Sequence, residues 1–239
     1  MPNTEQTFAD RRARGVDLQT AVAGFSPTFA PVDPNLAAAA FLTFLNLLDA
    51  MNTDVGAMDG QYTTGAQQRT PMVVDIQDRV LRVHSYVKSN SAWAAFLATV
   101  KRYVDKIRGN TPKAPKSPTP GETPGSPPAK NRNKGELGFG DIEDNFEKLI
   151  ASLGSIPGYA PPAAALSIAS LTTLATDFAT KNLAMSTLGN TLGMKQKARF
   201  DAYNGPGGLR DRMKAIKEAV RSQYGSNSPE YQQVKGIGL

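Results

Sequence analysis

The sequence predicts an all-α protein: two tandem helical-hairpin repeats, docked as an up-and-down four-helix bundle with short extra helices and joined by a Pro-rich linker. Three observations predict it. No stretch of useful length alternates apolar and polar residues as a half-buried strand would. Two segments, DRVLRVHSYVKS at 78–89 and DRMKAIKEAVRS at 211–222, share one helical pattern. Between them lies GNTPKAPKSPTPGETPGSPPAKNRNKG, in which Pro recurs every few residues and no large apolar side chain occurs. Such a segment has nothing to bury and is expected to be an extended tether with flexible ends.

The repeat rests on three collinear matches. AVAGFSPTFAP (21–31) aligns without a gap on ASLGSIPGYAP (151–161), placing Gly24 on Gly154, Phe29 on Tyr159 and Pro31 on Pro161. The same offset sets Phe44 on Leu174, Leu48 on Phe178 and Asn52 on Asn182. After a shift of three residues, Ile76, Val80, Val83 and Val87 fall on Leu209, Met213, Ile216 and Val220. Apolar residues spaced four, three and four apart form one stripe along a helix. The implied organisation is a first helical repeat at 1–108, a flexible linker at 109–136 and a second helical repeat at 137–239. Two independent helical modules on a string are the rival layout.

Within each repeat a short helix comes first, at 5–22 and at 140–153. The Pro-containing segment after it resets the chain, because Pro lacks an amide donor and disfavours helix in the residue before it. A first long helix begins after Pro34, with Asp33 as N-cap, and after Pro161 or Pro162 in the second copy. Its Ala, Thr and Ser content suits close helix approach. Turn chemistry is expected at DGQYTTG (59–65) and LGNTLG (188–193), and a further break at Pro71 and at NGPGG (204–208). The stripe helices follow. SNSAW (89–93) then caps another helix to about residue 108, whereas SNSPE (226–230) leads into a fading tail.

The formal charge of +6 invites a polyanion partner until it is divided along the chain. Residues 1–107 hold ten Lys or Arg against ten Asp or Glu, and residues 137–239 hold eleven against nine. The stretch between holds six against two, so most of the excess sits in the linker. The residues placed to contact a polyanion are Arg79, Arg82 and Lys88 on one stripe helix, with Arg210, Arg212, Lys214, Lys217 and Arg221 on the other. Asp78, Asp211 and Glu218 interleave with them, and solvated helix faces account for the same pattern.

No catalytic, cofactor-binding or metal-binding constellation is expected. The chain has no Cys, which excludes disulfides, thiolate-bound metals and thiol nucleophiles. His84 is the sole histidine, no GxSxG elbow accompanies it, and Lys217 stands opposite it in the second copy. GNTLGMKQK (189–197) departs from the phosphate-loop pattern, having Met194 before Lys195 and no Ser or Thr after it. NGPGGLRDR offers free amides at a helix start, a common anion-binding geometry. DIEDNFE (141–147) reads as an acidic opening turn, and DVGAMD (54–59) lacks the ligand spacing of a calcium loop. KSPTP, ETPGSPP and Pro115-x-x-Pro118 read as spacer, with groove binding or phosphorylation as the functional alternative.

The segment VRSQYGSNSPEYQQVKGI (220–237), preceded by KARFDAYN, resembles uncharacterised bacterial helical proteins that carry two such copies. The resemblance covers a minor part of the chain, and the first copy departs from it with SAWAAFL in place of SPEYQQV. It implies a repeat and a bacterial source, and no chemistry. The start MPNTEQTFADRRARG is charged from its first residues, and the apolar run Leu36–Leu48 is shorter than the roughly 20 residues a membrane span needs. A soluble, cytoplasmic protein is therefore expected, non-enzymatic and acting through a protein partner or self-association. Sequence-independent nucleic-acid binding is the alternative.

Overall fold

The computed structural model describes residues 4–109 and 138–238, with side chains from residue 8 onward. Nearly all of the expected linker lies outside the described residues. Among those described, all regular structure is helical: α1 (Thr4–Ala23), α2 (Ala38–Ser89), α3 (Ala94–Arg108), α4 (Phe139–Gly154), α5 (Ile168–Asn204), α6 (Leu209–Tyr224) and α7 (Pro229–Lys235). Single 3₁₀ turns precede α2, α3 and α5.

The helix starts follow the local chemistry. The Asp33 carboxylate accepts from the Asn35 amide at 2.9 Å ahead of α2, Asn90 accepts from Ala92 at 3.1 Å ahead of α3, and Ser228 accepts from Tyr231 at 3.1 Å to open α7. Gly109 at φ 71° ends α3, a left-handed conformation that a side chain would strain. NGPGG does separate α5 from α6, with Gly207 at φ 71°.

Three expected breaks are absent. α2 runs for 52 residues through DGQYTTG and through Pro71, and α5 for 37 residues through LGNTLG. The cost of each interruption is local. A helical Gly forfeits about 1 kcal/mol and an internal Pro about 3 kcal/mol, whereas restarting a helix repeats an unfavourable nucleation. The hydroxyl of Thr70, next to Pro71, donates to the Ala66 carbonyl at 3.1 Å within the same turn. The tail that was expected to fade instead forms α7.

The chain divides into two compact units that cut across the sequence halves. The first comprises Met1–Tyr62 with Leu188–Leu239, and the second Thr63–Thr187. Most of the buried apolar side chains fall in two clusters, one in each unit. The stripe of α2 belongs to one cluster and that of α6 to the other.

In the first unit, Leu209, Met213, Ile216 and Val220 are all within 1% of full burial and pack with Phe8, Leu18 and Val22 of α1 and Phe41, Leu45 and Leu48 of α2. Gly15 lets these helices approach closely. A Cβ there would lie 2.7 Å from Leu45 Cδ2 and 3.2 Å from Leu209 Cδ1. In the second unit, Ile76, Val80, Val83 and Val87 pack with Ile142, Phe146, Leu149 and Leu153 of α4 and with Leu171 and Phe178 of α5. Val100, Val104 and Ile107 of α3 complete that core. Full burial of each such side chain contributes about 1.5–3 kcal/mol relative to exposure. Thr173, Thr176 and Thr180 are exposed and donate to carbonyls of their own helix.

The second unit also holds an aromatic corner. Trp93 donates from Nε1 to the Pro157 carbonyl at 3.0 Å and stands edge-on to Tyr86 at 5.4 Å. The hydroxyl of Tyr159 donates to the Leu166 carbonyl at 3.0 Å. Burial, reinforced by neighbouring Tyr86, pushes the Tyr159 phenol up to about 12. The protonated phenol is thus favoured in the folded state. Its contribution to stability is complete below pH 10, the ordinary value, and is lost as pH rises toward 12. Urea midpoints read by Trp93 fluorescence are expected to fall across that window, and Tyr159→Phe to flatten the fall.

Candidate functional site

The eight cations expected to contact a polyanion are divided between the units and serve different ends. Arg79 is committed to structure. It pairs with Asp75 at 2.9 Å and donates to the Ala165 carbonyl and Ser170 Oγ, both at 3.1 Å. Arg212 is likewise occupied, donating from Nε to the Gly207 carbonyl at 2.9 Å and stacking on Phe44 at 4.2 Å. Lys217 donates to the Ile237 carbonyl, and burial lowers its pKa. These three tie loops and termini to their units.

The other five face outward. Arg82 pairs loosely with Asp78 at 3.6 Å and Lys88 is exposed on the same helix. Arg210 and Lys214 are exposed one turn apart on α6, and Arg221 approaches Glu218 at 3.8 Å. Exposed pairs of this kind contribute about 0–1 kcal/mol, so these side chains are free to reorient. Each unit thus presents its own smaller set.

The remaining sequence candidates resolve individually. His84 is half-buried, and its pKa is lowered first by burial and then by Lys101 and Lys88, with Asp105 opposing. GNTLGMKQK lies inside α5, where the backbone is helical and forms no phosphate-cradling loop. At NGPGGLRDR the anion is the chain's own: the Gly207 amide donates to Asp211 Oδ2 at 3.2 Å. Asp54 of DVGAMD pairs with Lys195 at 2.7 Å. Among the described residues no group of three or more His, Cys, Asp or Glu is placed to hold a metal. Among them, too, no helix is long and apolar enough to cross a membrane.

Sequence reasoning missed a polar arrangement that occurs in both units. In the first, the Arg199 guanidinium stacks on Phe8 at 4.7 Å, and Asn52 Nδ2 donates to the Tyr203 hydroxyl at 2.9 Å. In the second, Arg69 stacks on Phe139 at 3.4 Å and donates to Asn182 Oδ1 at 3.4 Å. Asn182 in turn donates to Glu143 Oε2 at 2.7 Å. The signal was present, because the offset that sets Asn52 on Asn182 also sets Arg69 on Arg199. Tyr203 anchors the first arrangement. It is fully buried, Phe8 meets it edge-on at 4.7 Å, and Arg11 donates to its carbonyl at 3.1 Å. Burial raises its pKa against the opposing pull of Asn52 and of Arg12, Arg199 and Arg11.

Tyr203→Phe is expected to cost about 1–3 kcal/mol, because it removes the hydroxyl partner of a partly buried amide. The Asn52 Oδ1 already lacks a partner. Urea denaturation followed by circular dichroism measures the loss, and Asn52→Ala on the Tyr203→Phe background should add less than it does alone.

The chain matches no protein-family model, no curated protein and no solved structure. The all-helical class therefore stands on the fold itself.

Proposed function

We propose that this protein is a non-enzymatic helical repeat protein that works by association, with a protein partner or with itself. The observation that carries the reading is an outward apolar face on α2. Val74 and Leu81 are 62% and 39% exposed and seven residues apart, so they share the helix face opposite the buried stripe. Apolar side chains aligned on one exposed face favour a protein surface over a phosphate backbone. The repeat of helices, buried stripes and Arg-aromatic stacks supports a scaffold built twice from one plan. Light scattering across concentration, with affinity capture by the full chain, tests it. The double substitution Val74→Glu, Leu81→Glu should reduce self-association or partner capture, and a strict monomer that captures nothing would reject the reading.

Sequence-independent nucleic-acid binding is the second reading, supported by outward Arg82 and Lys88 in one unit and Arg210, Lys214 and Arg221 in the other. It requires binding to DNA or RNA at about 50 mM salt that weakens steeply as salt rises. Absence of binding at that salt ends it.

A further inference from the structure

Each compact unit is completed by both halves of the chain. The first takes α1 and the start of α2 from the N-terminal half, and the end of α5 with α6 and α7 from the C-terminal half. The second reverses the arrangement, setting the stripe of α2 and α3 on α4 and the start of α5. A single half therefore cannot bury its own apolar faces. Residues 4–109 alone leave Phe41, Leu45 and Leu48 without the α6 stripe, and Ile76, Val80 and Val83 without Phe146 and Phe178.

Polar contacts follow the same division. Asn52 meets Tyr203, Arg11 meets Asn204 at 2.8 Å, and Lys195 meets Asp54 in the first unit. In the second, Trp93 meets Pro157 and the Tyr86 hydroxyl meets the Ala160 carbonyl at 2.9 Å. Every one of these contacts joins one half to the other. The covalent link between the halves is the stretch 110–137.

We propose that this protein exchanges halves with a second copy of itself, residues 4–109 of each chain pairing with residues 138–238 of the other. The inference rests on the reading that the protein works by association, and it identifies one partner as the same chain. A second copy supplies the same side chains at the same positions, so no new interface is needed. Within one chain the halves meet at an effective concentration on the order of 1 mM, which sets where exchange competes. Exchange is captured during folding, because releasing an exchanged half requires opening two cores.

The absence of Cys supplies a direct test on the full chain. Asp54 is exposed and Lys195 partly so, and they pair across the halves, so one preparation carries Asp54→Cys and another Lys195→Cys. Neither chain can cross-link these two positions within itself. The two are unfolded together, refolded, and treated with a short bis-maleimide. A linked heterodimer is expected in about a quarter of the molecules refolded near 1 mM, and in roughly 0.1% of those refolded at 1 μM. Chains refolded separately and mixed afterwards give the background. A heterodimer yield at 1 mM no higher than that background overturns exchange. Loss of association in the Val74→Glu, Leu81→Glu chain concerns a different surface, so failure of the broader reading is recognised separately.

Discussion

Phe178→Ala is expected to destabilise the second unit by about 3–5 kcal/mol, the cost of truncating a large side chain in a core that cannot collapse around the gap. Phe178 has no exposed surface and packs in the cluster with the α2 stripe and with Phe146 and Leu149 of α4. Its ring also lies 6.5 Å from that of Phe139, which carries the stacked Arg69. Truncation thus opens a cavity and loosens a cation-aromatic pair together. Trp93 is the only tryptophan and belongs to the same core, so its fluorescence follows this unit selectively. The urea midpoint read by Trp93 should drop sharply. The counterpart Phe41→Ala, buried in the first unit, should shift the circular dichroism transition more than that of Trp93. Equal shifts of both probes in both variants would mean that the units unfold as one.

Cutting the folded chain once within 110–137 is expected to leave the two pieces bound to each other. Both cores draw on both pieces, and the stripe residues alone place eight buried apolar side chains across the division. At about 1.5–3 kcal/mol for each such side chain, the gross burial far exceeds the loss of a tether whose effective concentration is on the order of 1 mM. A protease site introduced in the segment, followed by gel filtration of the cut protein, checks this. Co-elution at the mass of the intact chain, with separation only in denaturant, is the expected result. Pieces that separate in buffer would show that the cores are too weak to hold without the covalent link.

The helical class and the stripes were legible because they depend on side-chain spacing, which is a local property. Ile76 to Val87 and Leu209 to Val220 had to be buried, and the caps at Asp33, Asn90 and Ser228 had to sit where a chain re-enters helix. Helix continuity was not legible. DGQYTTG, LGNTLG and Pro71 each carry turn chemistry, yet the penalty of a Gly or Pro is decided against the cooperativity of the helix around it. The assignment of stripes to cores was also out of reach, since either stripe fits either short helix. Nothing in the spacing of Ile76, Val80, Val83 and Val87 distinguishes Leu18 from Leu149 as a neighbour. For the cations, sequence fixed which lie on the stripe helices. It did not separate Arg79, Arg212 and Lys217, which reach backbone carbonyls brought near by the fold, from Arg82 and Lys214, which do not.

The division of each core between the two halves sets a schedule for synthesis. When residue 109 leaves the ribosome, neither stack of apolar side chains has its counterpart. The second unit can close only after Phe178 is made, roughly 3 to 14 s later at 5–20 residues per second. The first waits for Val234. The growing chain therefore carries uncovered apolar faces on two stretches of α2 for several seconds. Nascent-chain protease sensitivity should persist past residue 109 and fall in two steps, the later-begun unit closing first.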